Sequence, residues 1–478
     1  MIRPFYPIVI IGAGMAGLAA ANTLSGNGYE ILIIDENDHI GGQLLRTRDP
    51  IQPGGWSPDP MKSIGFDLIK RLKTAKDITV MPRAEVLGIL PDRRLLVHTM
   101  DRPDTCKEIR AGRLILATGA RERYLPFPGW TLPGVMSLGA AQILMKHHGV
   151  LPAADTLIAG SSPLMMVLAA ELLANGGKVA GLADEKGMKD KAAFLPFLRH
   201  HWPKLLEGGW YTGRMIMGRV NQYPRTRVIT ATGNGRFKTT VLASIDPKGR
   251  IIPGTEMEIQ AGALTVGYGF APNIELGVQA GCRTGYKPSL GGWVLETPHS
   301  RYETSVPGIY AAGEPTGVGG AKKSWIDGRL AAMGILKSDG KVPAARHKQR
   351  FDATRAHLRR QAEHQLAYAG FLNRLTALPD AAYTTIPDET LICRCEAVTM
   401  GDIRKRITQG FDTPAVLKKA TRCGMGRCQG RICGPVTQDI IRVLTANKPD
   451  APATGTRARV PVKPVPAAAL FSSKENNR

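Results

Sequence analysis

The first thirty-five residues constrain the fold most tightly. An apolar run, Ile8 to Ile11, is followed by Gly12-Ala13-Gly14-Met15-Ala16-Gly17, an Ala-rich segment from Leu18 to Leu24, a second apolar run from Ile31 to Ile34, and Asp35. Strand, glycine turn, helix, strand and acid is the order a dinucleotide site requires. The glycines permit a tight turn and let a pyrophosphate approach the helix N-terminus, while Asp35 can accept hydrogen bonds from a ribose diol. Phe5 to Tyr29 carries no charge and is long enough to suggest a membrane span. Its glycines and the polar Asn22, Thr23, Ser25 and Asn27 argue for a soluble nucleotide fold instead.

The second constraint lies near the C-terminus, where five of the seven cysteines fall between Cys393 and Cys433. No secretory leader is read at the N-terminus, so the thiols are expected to be reduced and to act as ligands. Four thiolates suit zinc or an iron–sulfur cluster equally by charge and softness, which leaves spacing to decide. Zinc sites usually draw on Cys-x-x-Cys pairs, whereas Cys393 and Cys395 are separated by one residue and Cys428 and Cys433 by four. The second pair sits in the glycine-rich stretch Gly424 to Cys433, whose backbone N–H groups can approach sulfides and stabilise a reducible centre. A 2Fe-2S cluster is therefore favoured, with zinc as the alternative. Cys423 offers a competing spacing and is read as a neighbour; Cys106 and Cys282 are isolated and expected to be buried.

Residues 391 to 445 resemble the bacterioferritin-associated ferredoxin-like 2Fe-2S domain, which implies Cys393, Cys395, Cys428 and Cys433 as the metal ligands. Three further stretches resemble two-dinucleotide-domain flavoproteins: Gly41-Gly42-Gln43, Leu114 to Ala120 with Thr118 and Gly119, and Gly308 to Glu314 with Gly313. That resemblance implies FAD at the N-terminal fingerprint. Glu314 stands where Asp is commoner and keeps the carboxylate for the ribityl chain. After it, a helix from Gly319 through Met333 is expected to turn its N-terminal N–H groups toward the isoalloxazine edge. Lys322 and Lys323 either add positive charge there or are ordinary solvated residues.

Leu157 to Ala159 begins a second strand–turn–helix unit, but its turn reads Gly160-Ser161-Ser162-Pro163-Leu164 and lacks the second and third glycines. Ser162 and Pro163 carry side chains where a pyrophosphate needs bare backbone. The helix Leu164 to Leu173 and strand Lys178 to Leu182 keep the pattern, so the fold is expected to persist while NAD(P)H binding is disfavoured. No Cys-x-x-Cys lies beside either nucleotide unit, which disfavours disulfide reduction.

Taken with Pro128 to Val135 and Val266 to Asn273, these features resemble one family nearly end to end. It comprises the α (A) subunits of two-component flavin-dependent amine dehydrogenases: octopine and nopaline oxidases, hydrogen cyanide synthase, and dye-linked proline and D-hydroxyproline dehydrogenases. The resemblance implies a β subunit with its own FAD that oxidises the amine. Electrons would then pass through an interface FMN, the 2Fe-2S centre and FAD to a respiratory acceptor such as quinone. An opine is the first expectation for substrate, a proline-type substrate or hydrogen cyanide formation the next. A stand-alone FAD-dependent NAD(P)H oxidoreductase and a non-enzymatic metal-binding module are the competing classes.

The expected fold is α/β: a Rossmann-like, two-dinucleotide-binding-domain flavoprotein with a discontinuous FAD domain, plus a small helical 2Fe-2S domain at the C-terminus. The expected division is 1–125 with 264–340 for FAD, 126–263 for the second nucleotide fold, 341–390 as a helical linker, 391–446 for the cluster and 447–478 as an extended Pro/Ala-rich tail. That tail is expected either to be disordered or to order against a partner. At 478 residues with 43% hydrophobic content, the chain has an ordinary globular composition. Net charge is +23, and the region from 391 onward holds sixteen Lys/Arg against six Asp/Glu. Such a field suits an acidic protein partner or an anionic membrane surface. No nucleic-acid motif accompanies it. A cytoplasmic location is expected, with peripheral association at the inner face of the cytoplasmic membrane as its extension.

Overall fold

In the computed structural model of the chain, the described residues are 2–46, 59–187, 190, 198–297, 302–342, 345–446, 455 and 457–471. The N-terminal motif folds as its pattern requires: β1 (Phe5–Ile11), α1 (Met15–Leu24) and β2 (Ile31–Ile34). β1 lies between β2 and the long strand Arg102–Leu116, parallel to both. Ile8, Val9 and Ile10 are wholly buried, which explains a continuous apolar run in place of alternation. Ile78–Met81 extends this sheet at one edge, and the antiparallel strands Arg94–Thr99 and Ala84–Leu90 extend it at the other. Ile309–Ala311 returns from far along the chain to pair with Leu114–Leu116. The helix Gly320–Ser338 then packs on α1, and Gly328 permits the contact, since a Cβ there would lie 2.1 Å from the Ala16 carbonyl oxygen. The uncharged span with the length of a membrane segment is thus a strand, a turn and a buried helix. Among the described residues, no helix is long and apolar enough to cross a membrane.

A second parallel sheet is ordered Gln222–Pro224, Lys178–Asp184, Asp155–Gly160, Ala263–Gly267 and Val135–Ser137. The expected boundary at 264 falls inside Ala263–Gly267, which pairs along its whole length with Thr156–Gly160. Strand pairing therefore supports a proposed crossing back to the FAD domain after Gly267. The helix Ala345–Thr376 follows, then the short helix Ala381–Thr384. The cysteine-bearing unit comprises the hairpin Leu391–Cys393 with Val398–Thr399 and the helices Met400–Thr408, Pro414–Thr421 and Cys433–Leu444. Thr399 and Asp402 form a capping box on the first of these helices, and Thr413 caps the second ahead of Pro414.

This unit does not hang from the linker. Ile392, Met400, Ile403, Leu417 and Ile440 belong to one buried core with Leu157, Ala159 and Leu264 of the second nucleotide fold. Arg123 Nη1 donates to Asp439 Oδ2 at 2.8 Å, Tyr383 Oη donates to the same oxygen at 2.9 Å, and Trp130 Nε1 donates to the Leu391 carbonyl at 2.7 Å.

The described part of the tail also departs from expectation. Residues 457–471 order against the chain itself: Val462 N–H donates to the Leu87 carbonyl at 2.7 Å, and Val462 and Ala469 are buried. The reason is local. Gly88 has no side chain, and a Cβ there would lie 2.5 Å from Val460 Cγ2, so the bare strand accepts the tail's valine.

The Arg123–Asp439 pair has side chains only 19% and 6% exposed. Arg123→Ala would leave a buried carboxylate without its cation, and a loss of about 3–5 kcal/mol is expected. Denaturant unfolding checks this, with the midpoint of the Arg123→Ala chain falling well below that of the unaltered chain.

Candidate cofactor sites

A cavity of about 1870 Å³ runs between the two nucleotide folds. Gly12, Gly14, Asp35, Gly42, Gln43, Thr118, Gly119 and Glu314 all line it, while Gly17 and Gly313 stand just behind its wall. Gly12 adopts φ +105°, and a Cβ on Gly17 would lie 1.9 Å from the Gly12 carbonyl oxygen. A Cβ on Gly42 would lie 2.9 Å from Gly14 Cα. These contacts make a bare backbone cradle that only glycine permits. Gly14 caps α1 without a side-chain bond, and the first turn holds no acid, so its N–H groups are available to a pyrophosphate. Asp35 Oδ2 accepts from Ala13 N–H at 2.6 Å, and Oδ1 accepts from Asn37 N–H at 2.8 Å, which aims the carboxylate at the cavity rim.

Thr118 is occupied structurally: its hydroxyl donates to the Asn273 carbonyl at 2.6 Å, and Asn273 Nδ2 donates back to the Thr118 carbonyl at 2.9 Å. Arg121 completes this patch, donating to Asn273 Oδ1 at 2.7 Å and pairing with Glu275. At the far end, Glu314 Oε1 accepts from Gly320 N–H at 2.8 Å, so this carboxylate caps the helix whose N–H groups were expected to face a flavin edge. Burial pushes the Glu314 carboxyl up, against the opposing pull of the Lys323 charge and the glycine N–H groups. Lys323 is not solvated. It is 1% exposed and donates to the Gly313 carbonyl, Thr316 Oγ1 and Asp327 Oδ2 at 2.6, 2.8 and 2.7 Å. Lys322 is exposed and lines the cavity. The i,i+4 pairing of Lys323 with Asp327 was the available sequence signal for this buried charge.

The degenerate second turn lines the same cavity from Ser161 to Leu164 and is bonded at one edge to the linker. Ser161 Oγ donates to the Thr376 carbonyl at 2.8 Å, and Lys186 Nζ donates to the Ala377 carbonyl at 2.9 Å. The end of the linker helix is therefore tied to one edge of the second turn.

In the cysteine-bearing unit, the sulfurs of Cys393, Cys423 and Cys433 lie within 4.8 Å of one another and are buried. Cys428 is half-buried against Cys433, and the exposed Cys395 reaches Cys428 from the other side. The Cys393 thiol is held far below its ordinary range, first by hydrogen bonds from Cys423 and Cys433 and then by the N–H groups of Gly424 and Glu396. Cys428 is likewise pulled down, first by Cys433 and also by the Ile432 and Gly430 N–H groups. Gly426 lets the two cysteine loops close on one another, since a Cβ there would lie 2.3 Å from Cys395 Cβ. Five thiols thus converge within a shell of backbone donors, a donor set that suits an iron–sulfur centre. The four expected ligands come together, and Cys423 joins them more closely than its place in the sequence suggests.

Residues 6–328 match the pyridine nucleotide-disulphide oxidoreductase family, and residues 391–442 match the BFD-like [2Fe-2S] binding domain. The chain belongs to the pyridine nucleotide-disulphide oxidoreductase family and carries a BFD-like [2Fe-2S] domain toward its C-terminus. It is 33% identical to the hydrogen cyanide synthase subunit HcnB of Pseudomonas aeruginosa, covering 97% of each chain. It is 31% identical to the opine oxidase A-subunit of Agrobacterium tumefaciens, covering 98% of this chain and 92% of that one. Among solved structures, L-proline dehydrogenase from P. horikoshii shares the fold, with a TM-score of 0.68, 19% identity, and 98% of this chain and 79% of that chain covered. The protein is a flavin-dependent oxidoreductase, with FAD and a 2Fe-2S cluster as its cofactors. FAD supplies an exchange of one or two electrons, and the cluster supplies single-electron transfer.

Arg431 was not foreseen as a site residue. It lines the cavity, and its Nη1 donates to the Cys428 carbonyl at 3.3 Å, so the cysteine loop borders the flavin site directly.

We propose Cys393, Cys395, Cys428 and Cys433 as the cluster ligands. Cys428→Ser is expected to abolish cluster absorbance and lower the iron and sulfide content, whereas Cys423→Ser is expected to retain both. Retention of the cluster by the Cys428 variant, or its loss from the Cys423 variant, would reassign the ligands.

Proposed function

We propose that the chain is the electron-transfer α subunit of a heteromeric opine oxidase or dehydrogenase of the octopine and nopaline type. A β subunit with its own FAD oxidises the amine, and electrons pass through an FMN at the subunit interface to this chain and on to a respiratory acceptor such as quinone. The carrying observation is the placement of Arg431, which joins the Cys428 loop to the wall of the FAD cavity. Two electron carriers thereby share one wall. The loss of the second and third glycines from the second nucleotide turn supports electron entry from a protein partner in preference to a dissociable nicotinamide. Near-full-length similarity to HcnB and to the opine oxidase A-subunit supports the heteromeric reading, since both relatives are named as subunits.

The test co-expresses the chain with the product of its genomic neighbour and follows the visible spectrum anaerobically on addition of octopine, nopaline or proline. Bleaching by an opine only when the partner is present is expected. Bleaching of the isolated chain by NADH would replace this reading with that of a self-sufficient reductase, and a response to proline alone would shift the substrate class.

A further inference from the structure

The adenosine end of the cavity can be located from Asp35, because the acid that closes the second strand of this fold takes the ribose diol. Beside it stand Glu36 and Glu85, and the cavity wall opposite them comes from a remote part of the chain: Val462 and Lys463. Val462 is 5% exposed and belongs to the same apolar cluster as Ile11, Ile34 and Ala84, the residues at the strand ends that flank Asp35. Lys463 Nζ pairs with Glu36 and lies 3.3 Å from Glu85 Oε1. The wall is fastened at two points. Val462 N–H donates to the Leu87 carbonyl at 2.7 Å, and the Val462 carbonyl accepts from Arg431 Nη2 at 2.5 Å.

We propose that residues 457–471 complete the FAD site by forming the outer wall of its adenosine subsite, with Lys463 as the charged contact. The chemistry is complementary on both sides of the ribose. Asp35 accepts from the diol hydroxyls, and the Lys463 ammonium donates to their oxygens while offsetting the two glutamates that would otherwise crowd negative charge around the subsite. The aliphatic stem of Lys463 and the side chain of Val462 supply apolar surface for the base. Arg431, which springs from the cysteine loop, holds the Val462 carbonyl and so fastens this wall to the cysteine-bearing unit. This proposal rests on FAD as the ligand of the N-terminal fold.

The test uses the full-length chain, stripped of flavin and retitrated with FAD. Lys463→Glu places a third carboxylate beside Glu36 and Glu85, and FAD affinity is expected to fall about tenfold or more, while Lys463→Arg stays within about twofold. The iron content of both variants is expected to equal that of the unaltered chain. As a measurement that needs no variant, trypsin cleavage after Arg457 and Arg459 of the unaltered chain is expected to slow when FAD is bound. Unchanged FAD affinity in Lys463→Glu, or tryptic cleavage indifferent to FAD, would overturn the proposal. Absence of any FAD binding by the unaltered chain would instead remove the flavin assignment on which it stands.

Discussion

Asp439 accepts from both Arg123 and Tyr383 with almost no access to water, and the relation between the two redox sites depends on that junction. Arg123 follows the strand Ala120–Glu122 at the crossover of the flavin fold, Tyr383 belongs to the short helix after the linker, and Asp439 lies in the helix that begins at Cys433. A buried carboxylate needs its partners in place, so any rotation of the cysteine-bearing unit would expose an uncompensated charge. The shared apolar core adds affinity without direction; the ion pair supplies the direction. As a result, the loop from Cys428 to Arg431 is presented to the cavity.

The second nucleotide fold keeps its framework although its glycine turn is reduced. Its parallel strands supply Leu157, Ala159 and Leu264 to the core against which the cysteine-bearing unit docks, while the helix Leu164–Ala174 packs with Ile158 and Leu182 in a separate cluster. Gly160 is kept, since a Cβ there would lie 2.0 Å from the Gly267 carbonyl oxygen, and the departures from the glycine pattern fall on the residues after it. Of these, Ser161 bonds to the end of the linker helix. The second turn thus anchors the connection to the cysteine-bearing unit.

Much of the flavin site was legible because its demands are local. Gly12 and Gly17 are dictated by a turn and a helix-to-strand contact within a few residues, and their absence of a side chain is visible in the letters themselves. Lys323 and Arg431 were not legible in the same way. A lysine next to Gly319-Gly320-Ala321 has the same letter whether it is solvated or buried, and only the folded chain brings Gly313, Thr316 and Asp327 around its ammonium. The tail illustrates the same limit from composition: Pro and Ala suggest disorder, yet two valines suffice to order it once a glycine-bearing strand is present to receive them.

The sequence by itself determined the N-terminal dinucleotide unit, the erosion of the second glycine turn and the grouping of cysteines, because each is set by short-range geometry or by residue types that have few other uses. Tertiary structure alone decided that Cys423 enters the sulfur group, that Thr376 bonds to the second turn, and that Val462 and Lys463 reach the rim of the first. These are meetings of residues far apart in the chain. They arise from the packing of whole elements, which no local pattern encodes.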